Sequence, residues 1–437
     1  GQVPGHHGVL GNKFFDRKRL FYADYNTIKT YRDVDEDYRC PTMYEILDDK
    51  FSVTIQTPVR RGVYRKIDNW ASSGIRWYFN QIEEIDCLTA ERFYLIGEMA
   101  REARRWPDLI FAYFPATDEM GHRYGPESAE YRRSLRNVDE QIGRIGAALE
   151  ANGLLERTYL ALVSDHGMAQ CQKENYINIA ELIEGEFGLR VASQGPGRIE
   201  NYGERAAYFR GYDTVLVNGG FRRAMVYLRN GADWSAAGGP EKAGPIARFL
   251  AGQEAVCLTA YPDGEGVVWV ENRLGRGRIE RRRAAGESLN TRQYRYEVID
   301  GEDPLGYDIS LRAMGQPEGG FRSGAEWLAG TVESEYPDLP VQIAEVFDSH
   351  RAGDLLVFAR EGWDFDRSNV GGHGSAGAAD MLVPMVFSGP GIEPGGMIPA
   401  ARTVDVAPTV IEMLDSRKLG EYRFDGRSLL EEMMERK

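Results

Sequence analysis

Cysteine and histidine are both scarce in this chain of 437 residues, with four of the first and six of the second. Cys40, Cys87, Cys171 and Cys257 lie far apart and form no Cys-x-x-Cys pair. That argues against a disulfide framework or a cysteine zinc site and leaves isolated core thiols. No apolar run approaches the roughly 18 residues needed to span a bilayer, so no transmembrane segment is expected. Positive charge is also short: 53 Lys and Arg stand against 67 Asp and Glu, a net charge of −14. Such a surface argues against nucleic-acid or anionic-membrane binding as the main task, but not against a cationic cofactor. The chain has no internal repeat and no low-complexity tract. Its opening, Gly1-Gln2-Val3-Pro4-Gly5-His6-His7-Gly8, is neither a signal peptide nor an initiator-methionine start, and reads like the interior of a longer sequence.

What is present is ordinary globular material: 42% hydrophobic and 27% charged residues, enough to exclude wholesale disorder. Phe51 to Ile55 is a short β-branched run after a helical stretch from Pro41 to Leu47. Thr89 is placed to cap a helix carrying Phe93, Ile96, Met99 and Ala103 at helical period. Leu109 to Phe114 and Tyr159 to Val163 are continuous apolar runs, as in strands buried on both faces of a parallel sheet. Between them, Pro126, Glu127 and Glu130 open a helix with apolar residues at alternating spacings of four and three, and Gly153 is its expected stop. Strand, helix, strand at this spacing predicts α/β with a mostly parallel central sheet flanked by helices.

From about residue 193 the apolar runs shorten, and Gly and Arg become frequent. Val267 to Val270 and Tyr294 to Ile299 suggest strands, and Pro245 to Gly252 a short helix. Core texture resumes at Leu355 to Phe358 and Leu382 to Phe387, followed by a helix from Val406 to Leu414. The expected organisation is therefore a catalytic core over 1–192 and 346–437, with a smaller α+β cap inserted at 193–345.

Three segments carry chemistry. Asp118-Glu119-Met120-Gly121-His122-Arg123-Tyr124-Gly125-Pro126 directly follows a buried strand, where ligands bind in parallel α/β sheets. Asp118 and His122 can turn to one point if the loop curls into a helical turn, giving half a site for zinc or another first-row metal. The structural alternative is a capping aspartate and a surface histidine. Ser164-Asp165-His166-Gly167-Met168 also ends a strand; either Asp165 and His166 face one ion on a sharp turn, or Asp165 caps a following helix. Gly371-Gly372-His373-Gly374 places a histidine among three glycines, either a common turn or a loop built for close approach. Three of six histidines at such places is a stronger signal than any one alone. His350 reads as a surface loop residue, and His6 and His7 as structural.

In this order and spacing, the three motifs resemble the type I phosphodiesterase/nucleotide pyrophosphatase family of the alkaline phosphatase superfamily. Pro384, Ser388-Gly389-Pro390-Gly391-Ile392 and Asp405-Val406-Ala407-Pro408-Thr409 strengthen the likeness. It covers both core segments and thins out in the cap. The resemblance implies an alkaline-phosphatase-like fold and two divalent metals, zinc foremost, with Mn or Fe as alternatives. Asp118, His122 and His373 would hold one ion, and Asp165 and His166 the other. It further implies hydrolysis of a small-molecule phosphate ester, nucleotides included, through a covalent phospho-enzyme intermediate.

The segment Pro4 to Asn12 resembles the one that follows the family's nucleophile, which would make Asn12 a donor to a phosphate oxygen rather than a plain turn residue. The Thr or Ser nucleophile and one further metal-binding aspartate are then expected upstream of Gly1. That aspartate ends an interior strand of the sheet, whose loss would cost many kcal/mol, so the natural protein is expected to continue N-terminally and residues 1–437 alone to be inactive. Compartment stays open, since any signal would precede Gly1. The alternatives are a phosphomonoesterase or phosphonate hydrolase of the same superfamily, or a binding protein that has lost its nucleophile.

Overall fold

The β-branched run at 52–55 organises the first part of the molecule. In the computed structural model, strand Ser52–Ile55 is buried throughout and runs parallel to Arg65–Ile67 on one side and Leu109–Ala112 on the other. Val53, Thr54 and Ile55 suit such a pleated, enclosed position. The structure describes residues 1–26, 30, 33–67, 70–197, 199, 201–219, 221–232, 234–282, 288–315, 320–367 and 369–434. They form two compact units, the first of Gly1, 27–168 and 383–437, the second of 2–26 and 169–382.

In the first unit, helices Glu83–Ala103 and Ala129–Ala151 lay Phe93, Ile96 and Leu149 against Phe51, Val53 and Ile55. The second helix starts where Ser128 Oγ accepts the Tyr131 N–H at 3.0 Å, and Gly153 follows its end at φ 65°. The first begins at Glu83, not at Thr89. Glu83, Glu84 and Asp86 fill its first turn, where the helix dipole favours carboxylates. Thr89 is instead a buried mid-helix residue whose hydroxyl reaches the Tyr113 carbonyl at 3.0 Å. Helix Val406–Asp415, with Pro408 in its first turn, packs Ile411 on Ile46 and Leu47.

Strand Leu160–Val163 pairs antiparallel with Met385–Ser388, not in the parallel sense its apolar run suggested. Nor are the two apolar strands enclosed on both faces: Phe111 is 42% exposed, and Ala161 is exposed as well. Among the described residues, Leu109–Ala112 and Leu160–Val163 are each hydrogen-bonded along one edge only.

The second unit is built on a nine-stranded mixed sheet. Its order is Arg322–Ser323, Gln293–Gly301, Gly275–Arg282, Val267–Glu271, Val256–Pro262, Leu355–Ala359, Arg223–Leu228, Thr214–Gly219 and Val191–Ala192. Only the last pair is parallel. Where successive strands are joined by short turns, as at Thr214–Gly219 to Arg223–Leu228 and along Val256–Pro262, Val267–Glu271 and Gly275–Arg282, they have to run antiparallel. Helix Pro240–Ala251 packs Ile246, Ala247 and Leu250 on this sheet. It starts five residues before the expected Pro245, because Pro240 supplies the first-turn proline. The N-terminal segment belongs here too. Strand Lys13–Asp16 pairs with Phe21–Asp24, and Phe14 and Phe15 are fully buried. Among the described residues, no helix is long and apolar enough to cross a membrane.

Candidate functional site

The strand Leu109–Ala112 gives way at Pro115 to helix Ala116–Tyr124. Asp118 and Glu119 sit in its first turn and His122 and Arg123 in its last; the two carboxylates and the guanidinium complement the dipole at their ends. Gly125, at φ 84°, terminates it and donates to the Gly121 carbonyl at 2.8 Å. The i,i+4 spacing puts Asp118 Oδ1 3.3 Å from His122 Nε2, with His122 buried. Asp118 lies inside the helix rather than at its cap.

His166 approaches the same carboxylate. Its Nδ1 is 2.9 Å from the Gly167 carbonyl, which can only accept, so the proton is assigned to Nδ1 and Nε2 carries the lone pair. Nε2 lies 3.8 Å from Asp118 Oδ1 and 3.6 Å from Asp165 Oδ2. Ser164 Oγ donates to the His166 carbonyl at 2.8 Å and closes the turn. Asp165 is exposed and caps no helix, since strand Ala169–Tyr176 follows. The two motifs touch through Gly121: a Cβ there would stand 2.7 Å from Met168 Cε. The absent side chain is what lets Met168 lie against the helix.

One supporting residue was not signalled by its sequence context. Asp86, fully buried on helix Glu83–Ala103, accepts the Ala116 N–H at 3.2 Å and so holds the start of the Asp118 helix. Burial pushes its carboxyl up to about 7, with the nearby Glu83 adding to the rise and the Ala116 N–H opposing it.

In the second unit, Gly371–Gly372 pairs antiparallel with Gln170 and Ala169; the latter lies three residues after His166 in the chain. The Arg222 N–H donates to the His373 carbonyl at 3.2 Å, and the imidazole meets Phe221 edge-on. The glycines have a local cause. A Cβ on Gly372 would stand 2.7 Å from Asp364 Oδ2 and 2.9 Å from Arg222 Cδ, and Gly374 has φ 101°. Beneath the loop, Arg222 and Asp380 form a buried pair at 3.1 Å, and Asp380 also accepts the Ser375 N–H at 3.0 Å.

Asn12 is exposed. Its carbonyl accepts from Tyr25 at 2.8 Å, and its side-chain amide makes no hydrogen bond among the described residues. His7 Nδ1 accepts the Val9 N–H at 3.2 Å. His6 Nε2 lies 3.1 Å from Glu345 and 3.0 Å from Asp348, a combination that could suit an ion. Arg281 and Arg292 already neutralise these carboxylates, at 3.2 and 2.6 Å from Glu345 and, for Arg281, 2.6 Å from Asp348. The cluster is an ion-pair network, and His6 and His7 are structural as expected. His350 is half-buried and faces Asp16 at 3.7 Å rather than lying free on the surface.

The sequence pattern of the type I phosphodiesterase / nucleotide pyrophosphatase family matches residues 1–230, more than half of the chain. The chain belongs to this family. A bovine bis(5'-adenosyl)-triphosphatase, ENPP4, is 43% identical over 84 residues, 18% of this chain and 18% of that protein. Human ectonucleotide pyrophosphatase/phosphodiesterase family member 7 is 44% identical over 66 residues, 15% of this chain and 14% of that one. The matched stretches thus span less than a fifth of these curated relatives. Murine ectonucleotide pyrophosphatase/phosphodiesterase 5, solved as an inactive form in complex with AMP, superimposes with a TM-score of 0.57 at 15% identity. That likeness covers 99% of this chain and 85% of the murine one. At that identity it establishes the fold: α/β, of the alkaline-phosphatase kind.

Proposed function

We propose that the protein is a phosphoric ester hydrolase that cleaves phosphodiesters, with nucleotides as the substrate class. The observation that carries the reading is the meeting of Asp118, His122 and His166 at the ends of two strands of a chain in this family. The AMP held by the murine neighbour supports the choice of nucleotide. The ligand set is Asp118, His122 and His373 for one divalent ion and Asp165 and His166 for the other. Carboxylate oxygen with neutral imidazole nitrogen fits zinc, with Mn or Fe as alternatives, and the assigned His166 tautomer presents the nitrogen such an ion needs. His373 enters as the histidine of the family's Gly-x-His-Gly loop, here Gly371 to Gly374.

Two such ions supply charge compensation for the phosphate oxygens and activation of the attacking hydroxyl. Everything else falls to the chain. The Asn12 amide, which makes no hydrogen bond among the described residues, donates to a non-bridging phosphate oxygen. Gly167 holds His166 in one tautomer, and Asp86 and Met168 hold the Asp118 helix in place. The hydroxyl nucleophile and the remaining carboxylate belong to the family segment preceding the one that matches Gly1 to Asn12. Attack would form an O–P bond as the ester leaving group departs, and water would then cleave the phospho-enzyme.

Comparing kcat/KM on bis(p-nitrophenyl) phosphate and p-nitrophenyl phosphate, with that segment in place, tests the reading. The diester should be preferred. A preference for the monoester would transfer the protein to the phosphomonoesterase alternative, and no hydrolysis of either would remove the enzyme reading.

A further inference from the structure

Arg222 and Arg223 are adjacent in sequence and opposite in circumstance. Arg222 has Asp380 as counter-ion. Arg223 has none: among the described residues no carboxylate lies within ion-pairing distance, and its one hydrogen bond runs from Nη2 to the Leu10 carbonyl at 2.7 Å. Its Nε is buried without a partner. Burial pushes the guanidinium below its usual pKa, with only the Tyr227 phenol acting against it. An uncompensated cation at such a place is costly and calls for an anion.

The backbone around it is shaped to admit the guanidinium. Arg223 stands opposite Gly219 on the neighbouring strand, and its Nη2 would be 3.2 Å from a Cβ there and 3.0 Å from a Cβ on Gly11. Two glycines therefore flank the guanidinium. The loop it grips, Leu10 to Asn12, ends in the exposed amide of Asn12, which makes no hydrogen bond among the described residues.

We infer that Arg223, with the Asn12 amide, forms a subsite for a phosphate oxyanion. The guanidinium anchors the loop through Leu10 and offers its remaining donors to the anion, a fork that matches phosphate geometry. The assignment rests on the phosphoric ester hydrolase reading and adds to it a binding residue outside the three motifs.

Thermal melts of the full chain, zinc-loaded, with and without inorganic phosphate at matched ionic strength, test it on wild type, Arg223→Gln and Arg223→Met. Gln keeps a donor for Leu10 and loses the charge. Phosphate should raise the wild-type melting temperature, and both variants should bind phosphate at least about tenfold more weakly, as the loss of a charge-assisted contact implies. In phosphate-free buffer Arg223→Gln should melt at or above wild type, because a buried charge without a counter-ion has been removed. A mere loop anchor would give the opposite pattern: a lower melting temperature on substitution and an unchanged phosphate response. Wild-type phosphate affinity in Arg223→Gln overturns the subsite and leaves the hydrolase reading intact. Absence of any phosphate response in the zinc-loaded wild type sinks that reading as well.

Discussion

At the scale of single residues, Asp86 makes a pH-dependent contribution whose sign follows from its position. Its carboxyl is raised to about 7 by burial, well above the roughly 3.9 of an unfolded aspartate. The native state therefore keeps a proton that the unfolded chain has released. The associated stability is full below about pH 4 and is lost as pH rises through about 7. Asp86→Asn keeps an oxygen for the Ala116 N–H and cannot ionise. Its melting temperature relative to wild type should climb by a few degrees between pH 5 and pH 8, on the order of a few kcal/mol at most. A difference that does not change with pH would contradict the assignment. Glycines offer a second residue-scale contrast. Gly121→Ala meets only the flexible end of Met168, whereas Gly372→Ala meets Asp364 and Arg222, both buried. Urea unfolding should show Gly372→Ala destabilised by about 1–3 kcal/mol and Gly121→Ala by less.

At the scale of elements, the turn Pro4–His7 docks on helix Leu339–Val346 through two contacts. A Cβ on Gly5 would stand 1.9 Å from the Glu345 carbonyl oxygen, and His6 joins the carboxylates of Glu345 and Asp348. Backbone cannot yield as a side chain can, so Gly5→Ala should destabilise more than either glycine change above, by roughly 3 kcal/mol or more. Equal midpoints in urea for all three would refute the ranking. The same elements show what sequence makes legible. Helix Ala129–Ala151 could be read because its period, its Ser128 cap and its Gly153 stop are local signals. The start at Glu83 could not: Glu83-Glu84-Ile85-Asp86 carries no apolar period, and Thr89 imitated a cap. Strand direction was hidden for another reason. Leu160–Val163 finds its partner at Met385–Ser388, far along the chain, and a local apolar run does not encode that choice. Asp118, His122, Asp165 and His166 were legible because their spacing is itself the chemistry. Asp86 was not, because an aspartate in a first helical turn looks like ordinary dipole compensation until tertiary burial gives it a different role.

For the whole molecule, the scarcity of histidine and the acidic balance join in one expectation. A chain of net charge −14 that acts on an anionic ester needs concentrated positive charge where the phosphate sits. In this reading the charge comes from divalent ions on the histidine and aspartate motifs, together with Arg223. Metal removal should therefore lower the melting temperature, and zinc should restore it, because an ion held only by the folded chain stabilises it by mass action. The most direct measurement is zinc content per chain, by elemental mass spectrometry after loading and removal of excess metal. With the segment that carries the nucleophile and the remaining carboxylate in place, about two ions per chain are expected for wild type, and about one when Asp118→Ala and His122→Ala are combined. Wild-type content in that double variant, or a wild-type chain that retains no zinc, would contradict the central assignment.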